Sequence, residues 1–339
     1  MTFRNLLILI AGLMAILVLT LLAFRLPVAD SLGLLAEGAF GDKFGVHRTI
    51  VKATPLLLVA LGLILSWRAG MFNVGGDGQL LCGAMASASA YAIFHDLSPP
   101  LLQALILVSG ILGGAAFALI PAALYARRGV NVVIGTILLN FVAIALMRWA
   151  VRGPLQEPSG AIPQSEPLAK AVLFTRLDPQ SDLHVGVILP FLFALALYVW
   201  LSFTVSGFRL RLVGSNPNAA RVARIDVSRT QALALVFSGA FCGLAGAVEY
   251  LGVSGYLFDG FSPNFGFLAI PVALLGGLHP IGVLASGVYF GALMAGSKRL
   301  EALGAAPSAL VFVMQGVGVL GYVALQWVTR PRTREADTA

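Results

Sequence analysis

Ten apolar windows, most of them near the length a helix needs to cross a bilayer, decide what this chain can fold into. They run over residues 6–24, 53–67, 70–94, 101–125, 130–151, 184–203, 230–251, 265–278, 281–297 and 307–328. A spanning helix takes about 20 mostly apolar residues, because in hydrocarbon every backbone polar group must be satisfied within the protein. The links between windows leave no room for a separate soluble domain, so residues 1–339 read as one transmembrane domain. Composition agrees: 58% of residues are hydrophobic and 11% charged, with a mean hydropathy of +0.91, where a soluble domain carries about 25% charged residues. The expected fold is all-α, a polytopic transmembrane helical bundle of about ten passes.

The first window is longer than the roughly 7 to 15 apolar residues of a signal peptide and has no small-x-small cleavage site behind it. It reads as a retained first helix. Residues 25–52 mix Asp30, Glu37, Asp42, Lys43, His47 and Arg48 with apolar neighbours, the pattern of an interfacial hairpin. Residues 152–183 form the longest polar loop. Positive charge in short loops marks the cytoplasmic side. A cytoplasmic start puts Arg68, Arg127, Arg128, Arg209, Arg211, Arg221, Arg224, Arg229, Arg330, Arg332 and Arg334 inside, with few acids beside them. The other side receives Glu157, Glu166, Asp178 and Asp182 of the long loop, with Asp96, Asp259 and Glu301. Lys298 and Arg299 fall on the wrong side, and both termini are expected in the cytoplasm. The formal charge of +7 therefore orients the chain in a membrane; the arginines form no aromatic-interleaved patch, and no nucleic-acid partner is expected.

Two windows are interrupted. Phe72-Asn73-Val74-Gly75-Gly76-Asp77-Gly78-Gln79 sets three glycines and an acid inside an apolar segment, and Gly276-Gly277-Leu278-His279-Pro280-Ile281-Gly282 breaks a second one. Non-helical backbone at membrane depth survives only inside protein or along a watery cavity. Paired broken segments point to inverted repeats around a transport pathway, although no strong residue-level repeat is visible. The plainer reading is close helix packing through small residues.

Helical rise counted from the flanking arginines puts Asp77 roughly 13 Å and Asn140 roughly 18 Å into the membrane, with Glu249 roughly 30 Å up near the far mouth. Asp77 reads either as a pathway acid held by the N–H groups of its own glycine-rich turn or as a cap on a broken helix end. Asn140 reads as a pathway group or an interhelical hydrogen bond, and Glu249 as an outer vestibule group or a headgroup-level acid. Asn73 and Gln79 complete the candidate pathway set. Cys82 and Cys242 lie in apolar windows with no pairing motif and read as small core thiols.

No engine is visible. A phosphate-binding loop needs Gly-Lys-Ser/Thr, yet Lys43, Lys52, Lys170 and Lys298 follow Asp42, Val51, Ala169 and Ser297. Neither His-Glu-x-x-His nor Gly-x-Ser-x-Gly occurs, and His47, His95, His184 and His279 are scattered. No catalytic residue, metal site or cofactor is expected on this chain. The longest basic link, residues 207–229, contains a Gly-Ser-Asn-Pro turn with Pro217 suited to a first helical turn. It reads as a short helix that docks on a partner, or as a solvated loop whose arginines only fix topology.

These segments together resemble the permease subunits of bacterial ABC importers of the branched-chain-amino-acid and ribose class, and most of all the nucleoside, or simple-sugar, permeases. The resemblance rests on Phe72, Asn73, Val74, Gly75, Asp77, Gly78 and Gln79, on Thr136, Ile137, Leu138, Leu139 and Asn140, and on the cytoplasmic Gly214, Asn216, Pro217, Ala219, Ala220 and Arg221, followed by Ser238, Gly239 and Ala240. Arg224 stands where the family usually has a glycine, and Gly277 where it often has a polar residue. The resemblance implies a coupling segment over Gly214 to Arg224 that engages an ABC ATPase with two nucleotide domains, which would use ATP and Mg. It also implies a second permease subunit in a heterodimer, an extracytoplasmic solute-binding lipoprotein and a place in the bacterial inner membrane. The implied cargo is a nucleoside. A pentose or other simple sugar stays open within the class, and an ion-coupled secondary transporter or a membrane scaffold outside it.

Overall fold

A computed structural model of the chain describes residues 18–24 and 26–302, with isolated positions 12, 15, 313 and 316. The expected helix over 307–328, most of 6–24 and both termini lie outside the described residues. Eleven helices follow one another among those described: α1 Val28–Phe40, α2 Lys43–Arg68, α3 Gly76–Phe94, α4 Pro99–Arg128, α5 Val132–Val151, α6 Leu189–Phe203, α7 Val205–Ser215, α8 Pro217–Val222, α9 Val227–Glu249, α10 Phe265–Leu275 and α11 Pro280–Ala302. A 3₁₀ turn, Val185–Ile188, leads into α6, and a π turn, Tyr250–Ser254, extends α9. Among the described residues, six segments are long and apolar enough to cross a membrane: Lys43–Arg68, Pro99–Arg128, Val132–Val151, Val185–Phe203, Val227–Ser254 and Pro280–Ala302. The chain is a polytopic helical membrane protein.

Local sequence sets the helix ends. Asp42 opens α2 by accepting from the Gly45 N–H at 2.5 Å, and Asn131 opens α5 by accepting from Val133 at 2.9 Å, each satisfying a donor the first turn leaves free. Two prolines start α4, and Gly129, with φ +65°, stops it. The segment expected as an interfacial hairpin is α1, a tight turn and the first ten residues of α2, and the second arm runs unbroken into the span.

Packing separates two kinds of helix. Every residue of α2 from Ala53 to Ser66 is buried, as expected of a helix apolar all round and enclosed by others. The neighbouring α9 packs along α2, α3 and α4. Small residues bring the backbones together, and a Cβ on Gly243 would collide with the Gly110 carbonyl oxygen. By contrast α5 leaves Ile134, Leu138, Phe141 and Trp149 more than half exposed, and α6 does the same with Leu192, Leu195 and Phe203. In a membrane such faces meet lipid or another subunit.

The charges fall on two opposite faces. Arg68, the end of α4 and the α7–α9 link gather at one, joined by Gln231, which donates to the Ala69 carbonyl at 3.2 Å and accepts from the Tyr125 hydroxyl at 3.1 Å. The other holds residues 152–183, which cover the end of α9 through Phe174 N–H to Leu251 O at 3.0 Å and Ser165 N–H to Leu257 O at 2.8 Å. Arg299, which breaks the charge rule, pairs with Glu37 of α1 on that same face.

Candidate functional site: a clasped break and a coupling elbow

The chain leaves helix after Arg68 and re-enters it at Gly76, which strands backbone donors and acceptors at membrane depth. Side chains from α5 and α9 take them up. The Val74 N–H donates to Thr136 Oγ1 at 3.2 Å, the Gly78 N–H donates to Asn140 Oδ1 at 2.8 Å, and Asn140 Nδ2 donates back to the Val74 carbonyl at 3.0 Å. Asn73 Nδ2 donates to Gln79 Oε1 and to Ser238 Oγ, both at 2.9 Å, while Asn73 Oδ1 accepts from the Gly75 N–H at 2.9 Å. Trp67 Nε1 closes the set on the Asn73 carbonyl at 2.9 Å. Asn73, Asp77, Gln79 and Asn140 are each at most 2% exposed. Such a network is stabilising only when complete, since each buried polar group left unpaired costs about 1–3 kcal/mol.

Four of the five expected pathway residues thus come together, and in this conformation they hold the break closed. Asn140 lies eight residues into α5, about 12 Å from its start. That is shallower than the count from Arg128 gives, because residues 129–131 turn between helices and add no helical rise. Glu249 stands apart. It ends α9 at the far face, is 6% exposed, and has Lys52 of α2 as its opposing charge.

The same break clamps a second, short helix. Asp77 Oδ1 accepts from Ser262 Oγ at 2.6 Å and from the Gly266 N–H at 3.0 Å, so the acid caps α10 rather than its own glycine-rich turn. Gly266 has to be glycine there, because a Cβ would run into the Asp77 backbone. At the other end of α10 the Arg68 Nε donates to the Leu278 carbonyl at 2.7 Å. An acid at the N-terminus and a cation beyond the C-terminus both complement the helix dipole. With 11 residues, α10 is about 16 Å long, about half a bilayer core. The interruption expected at residues 276–282 is the turn from α10 into α11, at the arginine face beside Arg68. The non-helical chain that reaches the interior is the stretch before α10, ending at Asn264 with φ +63°.

On the arginine face, α7 and α8 form an elbow. Asn216 caps α8 by accepting from the Ala219 N–H at 3.0 Å, and Pro217 occupies the first turn. Ala220 is fully buried against Val213 and Val227, which fixes α8 on the end of α7 and the start of α9, while Ser215, Asn216 and Arg221 remain exposed. Gly214 meets α2 directly: a Cβ on it would collide with the Arg68 carbonyl oxygen. Arg224 has φ +57°, a left-handed conformation that costs an ordinary residue about 1–2 kcal/mol and a glycine nothing.

The elbow therefore rests on the end of α2, whose Arg68 also reaches the far end of the half-helix α10. Residues 45–320 match the family model described as branched-chain amino acid transport system, permease component. The chain belongs to this permease family. The permease is 34% identical over 322 residues to the glucose ABC transporter permease protein TsgB13 of Haloferax volcanii, covering 92% of this chain and 84% of the relative. It is 32% identical over 316 residues to the guanosine ABC transporter permease protein NupP of Bacillus subtilis, covering 92% and 90%. The nucleoside ABC transporter permease protein NupB of Lactococcus lactis is 28% identical over 299 residues, covering 86% and 82%. The permease is thus a translocation component of an ABC importer.

Sequence reading alone missed Arg68, Ser238 and Ser262. Arg68 counted only as a topology marker, although its place directly before the glycine-rich break was a usable signal. Ser238 and Thr136 sat unassigned inside recognised motifs, and nothing around Ser262 distinguishes it from a loop serine.

Proposed function

We propose that this permease pairs with a second permease subunit to import a nucleoside, the arginine face being cytoplasmic and the face carrying residues 152–183 receiving cargo from a solute-binding protein. Two ATPase domains, the users of ATP and Mg, grip the elbow over Gly214, Ser215, Asn216, Pro217, Ala219, Ala220, Arg221 and Arg224. The observation that carries the reading is the seat of Gly214 on the Arg68 carbonyl. Motion of the elbow reaches the end of α2 without slack, and from there both ends of α10. The buried set Asn73, Asp77, Gln79 and Asn140 is then the closed wall of the route, and its uncharged amides suit a hydroxyl-rich, neutral solute. Guanosine is the first cargo to test because the named cargo of two of the three relatives is a nucleoside, while glucose is that of the third.

The test is uptake of labelled guanosine, ribose and glucose into proteoliposomes carrying the permease with or without its ATPase and binding protein. Uptake of guanosine that needs ATP and stops with vanadate is the expected result. Accumulation by the permease alone, or uptake that collapses with the proton gradient and ignores vanadate, overturns the reading.

A further inference from the structure

A crevice of about 790 Å³ opens on the arginine face between α6, α7 and the first half of α9. That is within the roughly 300–1,000 Å³ of small-molecule sites. Its floor is made by buried Leu65, Leu197 and Ala234. Its mouth is made by Phe208, Leu233 and Phe237, which are 55%, 46% and 57% exposed. The exposed flank of α6, from Leu192 to Phe203, continues this apolar border. An apolar mouth of this kind suits an acyl chain better than an aqueous solute.

The rim has the opposite character. Arg209 of α7, Arg224 of the link and Arg229 of α9 line it. All three are exposed, and none takes part in an ion pair among the described residues. The acid beside them, Asp226, is occupied as the cap of α9, accepting from the Arg229 N–H at 3.0 Å. Three guanidinium groups against one carboxylate leave a surplus of positive charge at the mouth. Along α9 the lining runs from Arg229 to Phe241, twelve residues or about 18 Å, close to the depth of one leaflet, half of a core about 30 Å thick.

We propose that this crevice binds an anionic phospholipid, its phosphate held by Arg209 and Arg229 and one acyl chain lodged against Leu197, Ala234 and Phe241. Basic pockets between membrane helices recognise such headgroups by charge, and the apolar floor selects a chain over a free phosphate. Because Arg224 and Ile225 line the crevice, the lipid lies against the elbow itself. Its presence would steady α8 on α9.

Native mass spectrometry of the full chain, purified with its partner subunits and stripped of lipid, tests this by adding phosphatidylglycerol or phosphatidylcholine with matched dioleoyl chains. The wild type is expected to hold one phosphatidylglycerol and to prefer it to phosphatidylcholine. Each arginine is worth about fivefold near an anionic headgroup, so R209Q/R229Q should weaken phosphatidylglycerol about 25-fold and leave phosphatidylcholine unchanged. A234W, which fills the floor, should weaken both, and if it does not fold the arginine variant carries the test. Equal retention of the two lipids by the wild type, or undiminished phosphatidylglycerol in R209Q/R229Q, overturns the proposal. So does a photo-crosslinker at Leu233 that captures the second permease subunit or the ATPase in place of lipid.

Discussion

The two ends of α2 are held by different chemistry. At Arg68 the helix meets other elements through backbone contact and partly or fully buried hydrogen bonds: Gly214 against its carbonyl, Arg68 on Leu278, Gln231 on Ala69 and Trp67 on Asn73. At Lys43 it is tied to the outer loop by Asp178, which lies 3.4 Å from Lys43 Nζ and 3.6 Å from His47 Nδ1. Lys43 is largely exposed, and ion pairs of that kind contribute about 0–1 kcal/mol. The first end can pass on force because it has nowhere to slip, while the second can let go and re-form. A rigid junction beside the elbow and a soft one beside the loop divide the helix into a driven end and a yielding end.

The strongest test of the rigid end is Gly214→Leu. The added side chain has only backbone to displace, so the junction should lose upwards of about 4 kcal/mol, read as a fall in melting temperature of the detergent-purified complex. A tolerated leucine would mean the elbow does not rest on α2. Next, Asn140→Ala strands the Gly78 N–H and the Val74 carbonyl and should cost about 2–4 kcal/mol. A loss under about 0.5 kcal/mol would show that water replaces the amide and that the break is open.

Asp77 separates a cap from an ion relay. Asp77→Asn keeps an acceptor oxygen for Ser262 and Gly266 and should retain most ATP-driven uptake, whereas Asp77→Ala should cost about 1–2 kcal/mol as other lost caps do. If Asn abolishes uptake while the melting temperature holds, the charge itself works in transport. Smaller again is Arg224→Gly, which removes a left-handed strain and should stabilise the elbow by about 1 kcal/mol. No gain would mean that the arginine's own contacts offset the strain.

How much of this was legible beforehand differs between the two ends in the same way. Membrane class and the broken segment at residues 72–79 follow from hydropathy and glycine spacing, which are local properties. The elbow was visible as Gly-Ser-Asn-Pro, and the misfit of Arg224 appeared before its backbone angle was known. What could not be read is which partner each polar group finds. Asp77 and Gly266 are 189 residues apart, and Arg68 and Leu278 are 210 apart. Nothing in either neighbourhood encodes the meeting.

The yielding end gives the gentlest prediction. Asp178 is held below the usual carboxylate range, first by the Gln180 N–H and then by Lys43 and His47. A carboxyl whose folded value is depressed supports the folded state above its unfolded value, about 3.9, and loses that support as pH falls through the depressed one. The Asp178 tie should therefore persist from neutral pH down to about 5 and weaken only below about pH 4. Raising salt to about 1 M, where the screening length is about 3 Å, should loosen it at any pH. Hydrogen exchange over residues 174–185, corrected for intrinsic rates, reads both effects. Asp178→Asn should reproduce the high-salt pattern at neutral pH while exchange in residues 72–79 stays slow. If exchange at the two sites rises together, the ends of α2 are one cooperative unit, and the division into a driven and a yielding end is wrong.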